Sequence, residues 1–158
     1  MKINYDASFS ESDMKSNSGI VIRNDKGEIM VAATYLKYPI ANLEHAEALA
    51  CEQALILAQE LGFRRVEVEG DSLGVVTKLK NWEAYKGFLS TLYRNIQRRG
   101  NSFDYLCFSY ACREKNGVAH ALTRITLPSD EPMVWIEEAP QLVLHLVRRD
   151  LSGCNQPP

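Results

Sequence analysis

Polar and apolar residues alternate through Lys2-Ile3-Asn4-Tyr5-Asp6-Ala7, the period of a strand, and the rest of the chain continues as a series of short periodic segments. The pattern predicts strands at residues 2–7, 19–24, 28–36, 64–69 and 103–110, and helices at residues 44–61, 72–80, 87–99 and 117–127. Asn24-Asp25-Lys26-Gly27 reads as a hairpin turn in which Gly27 can take positive φ, so the first three strands form an antiparallel meander. Later strands alternate with helices, which demands parallel pairing through crossovers. The expected architecture is α/β: a mixed five-stranded sheet, three antiparallel strands and then parallel ones, with helices on both faces.

No repeat or low-complexity linker divides this pattern, but its character changes at Pro128-Ser129-Asp130-Glu131-Pro132. Two apolar stretches follow, Val134-Trp135-Ile136 and Leu142-Val143-Leu144-His145-Leu146-Val147. The expected organisation is a domain over residues 1–127, an extension over residues 128–151, and a disordered tail over residues 152–158. The extension either packs back on the domain or binds a partner.

Three carboxylates interrupt apolar elements where a folded domain has no local need of charge. Asp6 lies inside the first strand. Glu47 falls on the side of its helix occupied by Ala50, Cys51, Ala54 and Ala58, opposite Glu52, Gln53, Gln59 and Glu60, so it faces inward. Asp71 ends the run Val66-Glu67-Val68-Glu69 just before a helix, the kind of junction where ligands gather in open α/β sheets. Each has a plainer reading: Asp71 as a helix N-cap, Asp6 as a partner of a turn, Glu47 as the mate of a buried Lys or Arg. Three like charges converging in a cleft, however, repel one another and call for a cation.

Length and composition add limits. At 158 residues with 46% hydrophobic and 24% charged content, the chain is one ordinary globular domain. No apolar stretch reaches membrane-spanning length and the first strand begins at once, so the expectation is an intracellular protein, cytoplasmic or nuclear, with no membrane association and a monomeric state. Cys51, Cys107, Cys112 and Cys154 have no CxxC spacing, against a zinc knuckle or a disulfide framework. The net charge of −2 excludes nonspecific coating of nucleic acid, yet residues 78–124 hold nine Lys or Arg against three acids. That basic half, including Arg94, Arg98 and Arg99, is either a grip on a phosphate backbone or a solvated helix surface.

The motifs Lys2-Ile3-Asn4-Tyr5-Asp6-Ala7, Ser18-Gly19-Ile20-Val21-Ile22-Arg23-Asn24, His45-Ala46-Glu47-Ala48-Leu49-Ala50, Glu69-Gly70-Asp71-Ser72 and Arg113-Glu114-Lys115-Asn116-Gly117-Val118-Ala119-His120-Ala121-Leu122 stand in register over about residues 2–127. Together they resemble the ribonuclease-H-like domain of plant proteins and plant retroelements. The resemblance implies a metal-dependent endonuclease that cleaves the RNA strand of RNA·DNA hybrids, with Asp6, Glu47 and Asp71 holding two Mg²⁺ ions, or Mn²⁺, around the scissile phosphate. It also implies that the hybrid is recognised through its shape and the 2′-hydroxyl.

Two departures from the family pattern stand out. Its fourth acid, at the start of the last helix, is His120 here: an auxiliary catalytic group, or a histidine bonded to a neighbouring carboxylate. The link at residues 81–86 is short, with no room for the extra basic helix that some ribonucleases H use to grip the hybrid. Asn17, Asn42 and Ser72 are candidate backbone contacts, and Asn116 is a further nucleic-acid candidate placed to cap the last helix. The rival expectation is a domesticated retroelement-derived domain that binds nucleic acid or protein with little or no catalysis.

Overall fold

The computed structural model describes residues 1–126 and 128–154. Strand β1 (Lys2–Ser10) pairs antiparallel with β2 (Lys15–Arg23), which pairs antiparallel with β3 (Ile29–Lys37). Helix α1 (Leu43–Glu60) crosses over to β4 (Arg65–Gly70), which lies parallel to β1. Helix α2 (Leu73–Lys80), a 3-10 turn (Trp82–Ala84) and helix α3 (Ser90–Gly100) then lead to β5 (Tyr105–Tyr110), parallel to β4. Helix α4 (Gly117–Leu122), strand β6 (Met133–Ile136) and helix α5 (Leu144–Cys154) complete the chain. Among the described residues no helix is long and apolar enough to cross a membrane.

The sheet runs β5-β4-β1-β2-β3-β6, so it has six strands and not the five expected. The added strand, β6, pairs antiparallel with β3 from Val31↔Ile136 to Thr34↔Met133. Four residues between two breakers carry too little alternation to announce a strand, and the bonds that make it one come from the free edge of β3. The β1–β2 ladder is likewise longer than the pattern suggested, running from Lys2↔Arg23 to Ser10↔Lys15 through small polar residues. Helix α4 closes at Leu122, where the Thr123 hydroxyl donates to the His120 carbonyl at 2.6 Å and the Thr123 N–H bonds the same oxygen. Leu127, the expected last residue of that helix, lies outside the described residues. Of the expected tail, residues 152–154 belong to α5, and residues 155–158 lie outside the described residues.

Helices cover both sheet faces, so the middles of the central strands are buried. Ile3, Tyr5, Ile20, Ile22 and Ala33 pack with α1 and α3, while Val21 and Ala32 face Val118, Ala119 and Leu122 of α4 and Val143 beyond it. Helix α1 presents Ala46, Ala50, Cys51, Ala54 and Ala58 to the sheet, small residues that let it approach closely. On the other face Gly19 does the same for α4, because a Cβ there would collide with the Ala119 carbonyl oxygen and the Leu122 Cβ. Gly19 pairs with Asp6, so this contact sets how near α4 comes to that carboxylate.

Candidate metal centre

The parallel ladder between β1 and β4 covers only Lys2↔Glu67, Ile3↔Val68 and Asn4↔Glu69, after which the two strands part. Asp6 stands two residues past the last paired residue of β1, and Asp71 two past that of β4. Glu47, one turn into α1, reaches the same gap. One carboxylate oxygen from each of Asp6, Glu47 and Asp71 lies within 4.8 Å of the other two. Asp6 is 1% exposed and Glu47 5%, so solvent does little to offset charge on either.

Electrostatics in the gap are unfavourable to three ionised acids. Burial, then the neighbouring Asp6 and Asp71 charges, push the Glu47 carboxyl up to about 9, against which the Ala7 N–H works only in part. Asp71 is also raised, by burial and by Asp6, while Arg113, the Asn116 side chain and His120 pull it back. Asp6 Oδ1, Glu47 Oε2 and Asp71 Oδ2 have no hydrogen-bond partner, although the Arg113 Nε stands 3.6 Å from Asp71 Oδ2 as an ion pair. Three acids, each with one buried oxygen that lacks a donor and with ligand oxygens within 4.8 Å of one another, fit a hard divalent cation.

The supporting side chains come from α4 and its approach. His120 Nδ1 lies 2.8 Å from Asp6 Oδ2. Asn116 occupies the N-cap position of α4, but its side chain does not cap the helix. Fully buried, it donates to the Tyr5 carbonyl at 2.9 Å and accepts from Asn4 Nδ2 at 3.1 Å, tying α4 to β1. Asp71 is not the cap of α2 either, since Ser72 accepts the Val75 N–H at 3.4 Å and leaves the Asp71 carboxylate to the gap.

The remaining sequence candidates are more dispersed. Asn42 caps α1, accepting the His45 N–H at 2.8 Å, and His45 Nδ1 in turn accepts the Ala41 N–H at 3.0 Å. Asn17 is half-buried in β2 opposite Ser8. Arg94 and Arg98 are exposed on α3, and Arg99 leans toward Glu52 of α1 at 3.9 Å, beyond Glu47 along that helix. Lys78 is paired with Glu44 at 2.5 Å. The basic half of the sequence is therefore spread over several elements, with Arg113 the cation paired to a carboxylate of the gap.

A family model described as reverse transcriptase-like matches residues 4–126. The chain belongs to that family, and its fold is that of ribonuclease H. Ribonuclease H1 of the archaeon Halobacterium salinarum superposes with a TM-score of 0.70 at 23% identity, covering 77% of this chain and 92% of that one. The LC11 ribonuclease H1, solved in complex with an RNA/DNA hybrid, gives 0.68 at 23% identity, covering 77% and 91%. The N-terminal ribonuclease H domain of rv2228c from Mycobacterium tuberculosis gives 0.67 at 21%, covering 77% and 90%. No curated protein sequence matches the chain.

In this member of the family two groups beside the acids escaped the sequence reading. Asn4 shares a strand face with Asp6 and is buried, donating to both Asn116 and Glu69. Alternation marked the segment only as a strand and said nothing of what Asn4 meets; its bonds to Asn116 and Glu69 make it structural. Arg113 stood at the head of the last motif and in the basic segment, but nothing there or in the Glu114 and Lys115 beside it said that it would meet Asp71.

Proposed function

We propose that this domain is a metal-dependent endoribonuclease that cleaves the RNA strand of RNA·DNA hybrids, with Asp6, Glu47 and Asp71 holding Mg²⁺ or Mn²⁺. The observation that carries the reading is the convergence of three buried carboxylates, each with an oxygen that lacks a donor, in the gap where β1 and β4 part. Family membership and the ribonuclease H fold support it. When bound there, divalent ions supply a water of lowered pKa and positive charge against the phosphate, in a two-ion hydrolysis.

The chain's own residues have separable tasks. The ladder of β1 and the Ala-rich face of α1 fix two of the acids on rigid elements, and the Asn4–Asn116–Tyr5 network fixes α4 beside them. His120 holds Asp6 in one orientation through Nδ1, leaving Nε2 as the ring nitrogen able to exchange a proton with the cleft. Arg113, 71% exposed beside Asp71, is placed to meet a phosphate oxygen at the mouth of the gap. The motif resemblance further points to a plant or retroelement origin, and the domain is expected to act as an intracellular monomer.

The test is cleavage of an end-labelled RNA·DNA hybrid in Mg²⁺ and separately in Mn²⁺, with Asp71→Asn in parallel and single-stranded RNA as a control. Cutting of the hybrid's RNA strand that disappears in Asp71→Asn is the expected result. A folded protein that cuts in neither metal would instead make this a hybrid-binding or partner-binding domain.

A further inference from the structure

The three acids do not present all their oxygens to the gap. Asp6 Oδ1, Glu47 Oε2 and Asp71 Oδ2 lack a hydrogen-bond partner, the last with Arg113 beside it as an ion pair, and one ligand oxygen from each acid lies within 4.8 Å of the other two. An ion with ligands at about 2.1 Å spans up to about 4.2 Å, so slight side-chain movement closes the triad on a single cation. The second oxygen of Asp6 is already engaged. Asp6 Oδ2 takes the hydrogen bond from His120 Nδ1 at 2.8 Å, the Ala7 N–H works against the raised Glu47 carboxyl, and Asp71 has Arg113 beside it. The formal charge tells the same story: three ionised acids and Arg113 sum to −2, which one divalent ion neutralises.

Resting on the reading that this centre binds divalent ions, we propose that the protein by itself holds one such ion tightly, and that His120 is the positioning residue that keeps a second weak by occupying Asp6 Oδ2. A carboxylate bridging two ions must give an oxygen to each, and here one of Asp6's is committed to a hydrogen bond within the protein. The imidazole also adds no negative charge where a second cation would need it.

Mn²⁺ binding to the metal-free full chain measures this without any turnover, by counting free Mn²⁺ from its electron paramagnetic resonance and by calorimetry. Wild type should bind one Mn²⁺ per chain, with any second ion at least about tenfold weaker. His120→Asp should bind two, its second dissociation constant falling at least about tenfold. His120→Asn, whose amide can still donate to Asp6 and adds no charge, should remain at one. If His120→Asp does not fold, as judged by melting, His120→Ala carries the test: it frees the same oxygen and must strengthen the second ion severalfold. Two ions of similar affinity in wild type, or a folded His120→Asp or His120→Ala that binds the second ion no better, would overturn this inference and leave the metal reading standing. No Mn²⁺ bound at all would remove the metal reading itself.

Discussion

Replacing Glu47 by Gln is a direct probe of the repulsion in the gap. The unfolded chain ionises this carboxyl near 4.5, whereas burial and its two acidic neighbours hold it neutral in the folded protein up to about 9. A raised pKa of this kind contributes stability that is fully present below about 4.5 and is lost as pH rises through about 9. At roughly 1.4 kcal/mol per pH unit, keeping the side chain protonated at pH 7 costs about 3 kcal/mol relative to the unfolded chain. Gln is isosteric with the neutral acid, keeps a donor for Asp6 and pays no such cost. Metal-free Glu47→Gln should therefore melt roughly 6–12 °C above wild type at pH 7, with the gap growing toward pH 9 and vanishing near pH 4.5. Thermal melts in chelator across that range read it directly. Adding Mg²⁺ at a thousand times its dissociation constant should reverse the order, because it adds about 4.1 kcal/mol to wild type, more than the roughly 3 kcal/mol deficit, while the variant has lost one of three donors. Equal melting of the two proteins at pH 8 in chelator would refute the argument, since it would mean Glu47 is not held among like charges.

Three other substitutions separate the parts of the site. Gly19→Ala should destabilise the domain by about 3 kcal/mol or more in urea unfolding, because its new Cβ meets the backbone of α4 and not a flexible side chain. Asn116→Ala should cost about 2–3 kcal/mol by the same measurement, leaving the buried Tyr5 carbonyl and Asn4 amide without their partner. Arg113→Ala should leave stability within about 0.5 kcal/mol, as expected of an exposed ion pair. It should nevertheless raise the Asp71 carboxyl further, since Arg113 is the first of the groups that lower it; carboxyl-carbon NMR titration in chelator would follow this.

The legible parts of the fold were those written in local periodicity. Glu47 stood out because a helical wheel isolates one inward acid among alanines, and the structure buries that same side of α1. The hairpin at residues 24–27 was equally plain, with Gly27 at φ 79° and its N–H bonded to the Asn24 carbonyl. Strand β6 was not legible, because its identity depends on hydrogen bonds offered by β3 about a hundred residues earlier in the chain. The convergence of Asp6 and Asp71 was expected from the family motifs and not from local pattern, since nothing near either residue says that the β1–β4 ladder stops at Asn4 and Glu69.

That stopping point is what turns three separately explicable acids into one site. Had the ladder continued, Asp6 and Asp71 would sit on paired strands, and Glu47 would cover closed backbone. With the strands parted, the acids share a gap walled by α1 on one side and by α4 on the other. Two close approaches set those walls: the small residues of α1 and the missing Cβ of Gly19. The position of His120 follows from the second of these, because the glycine that admits α4 pairs with the very aspartate the imidazole binds. A bulkier residue at position 19 would therefore move His120 from Asp6 without touching either, and the number of ions the acids hold would change with it.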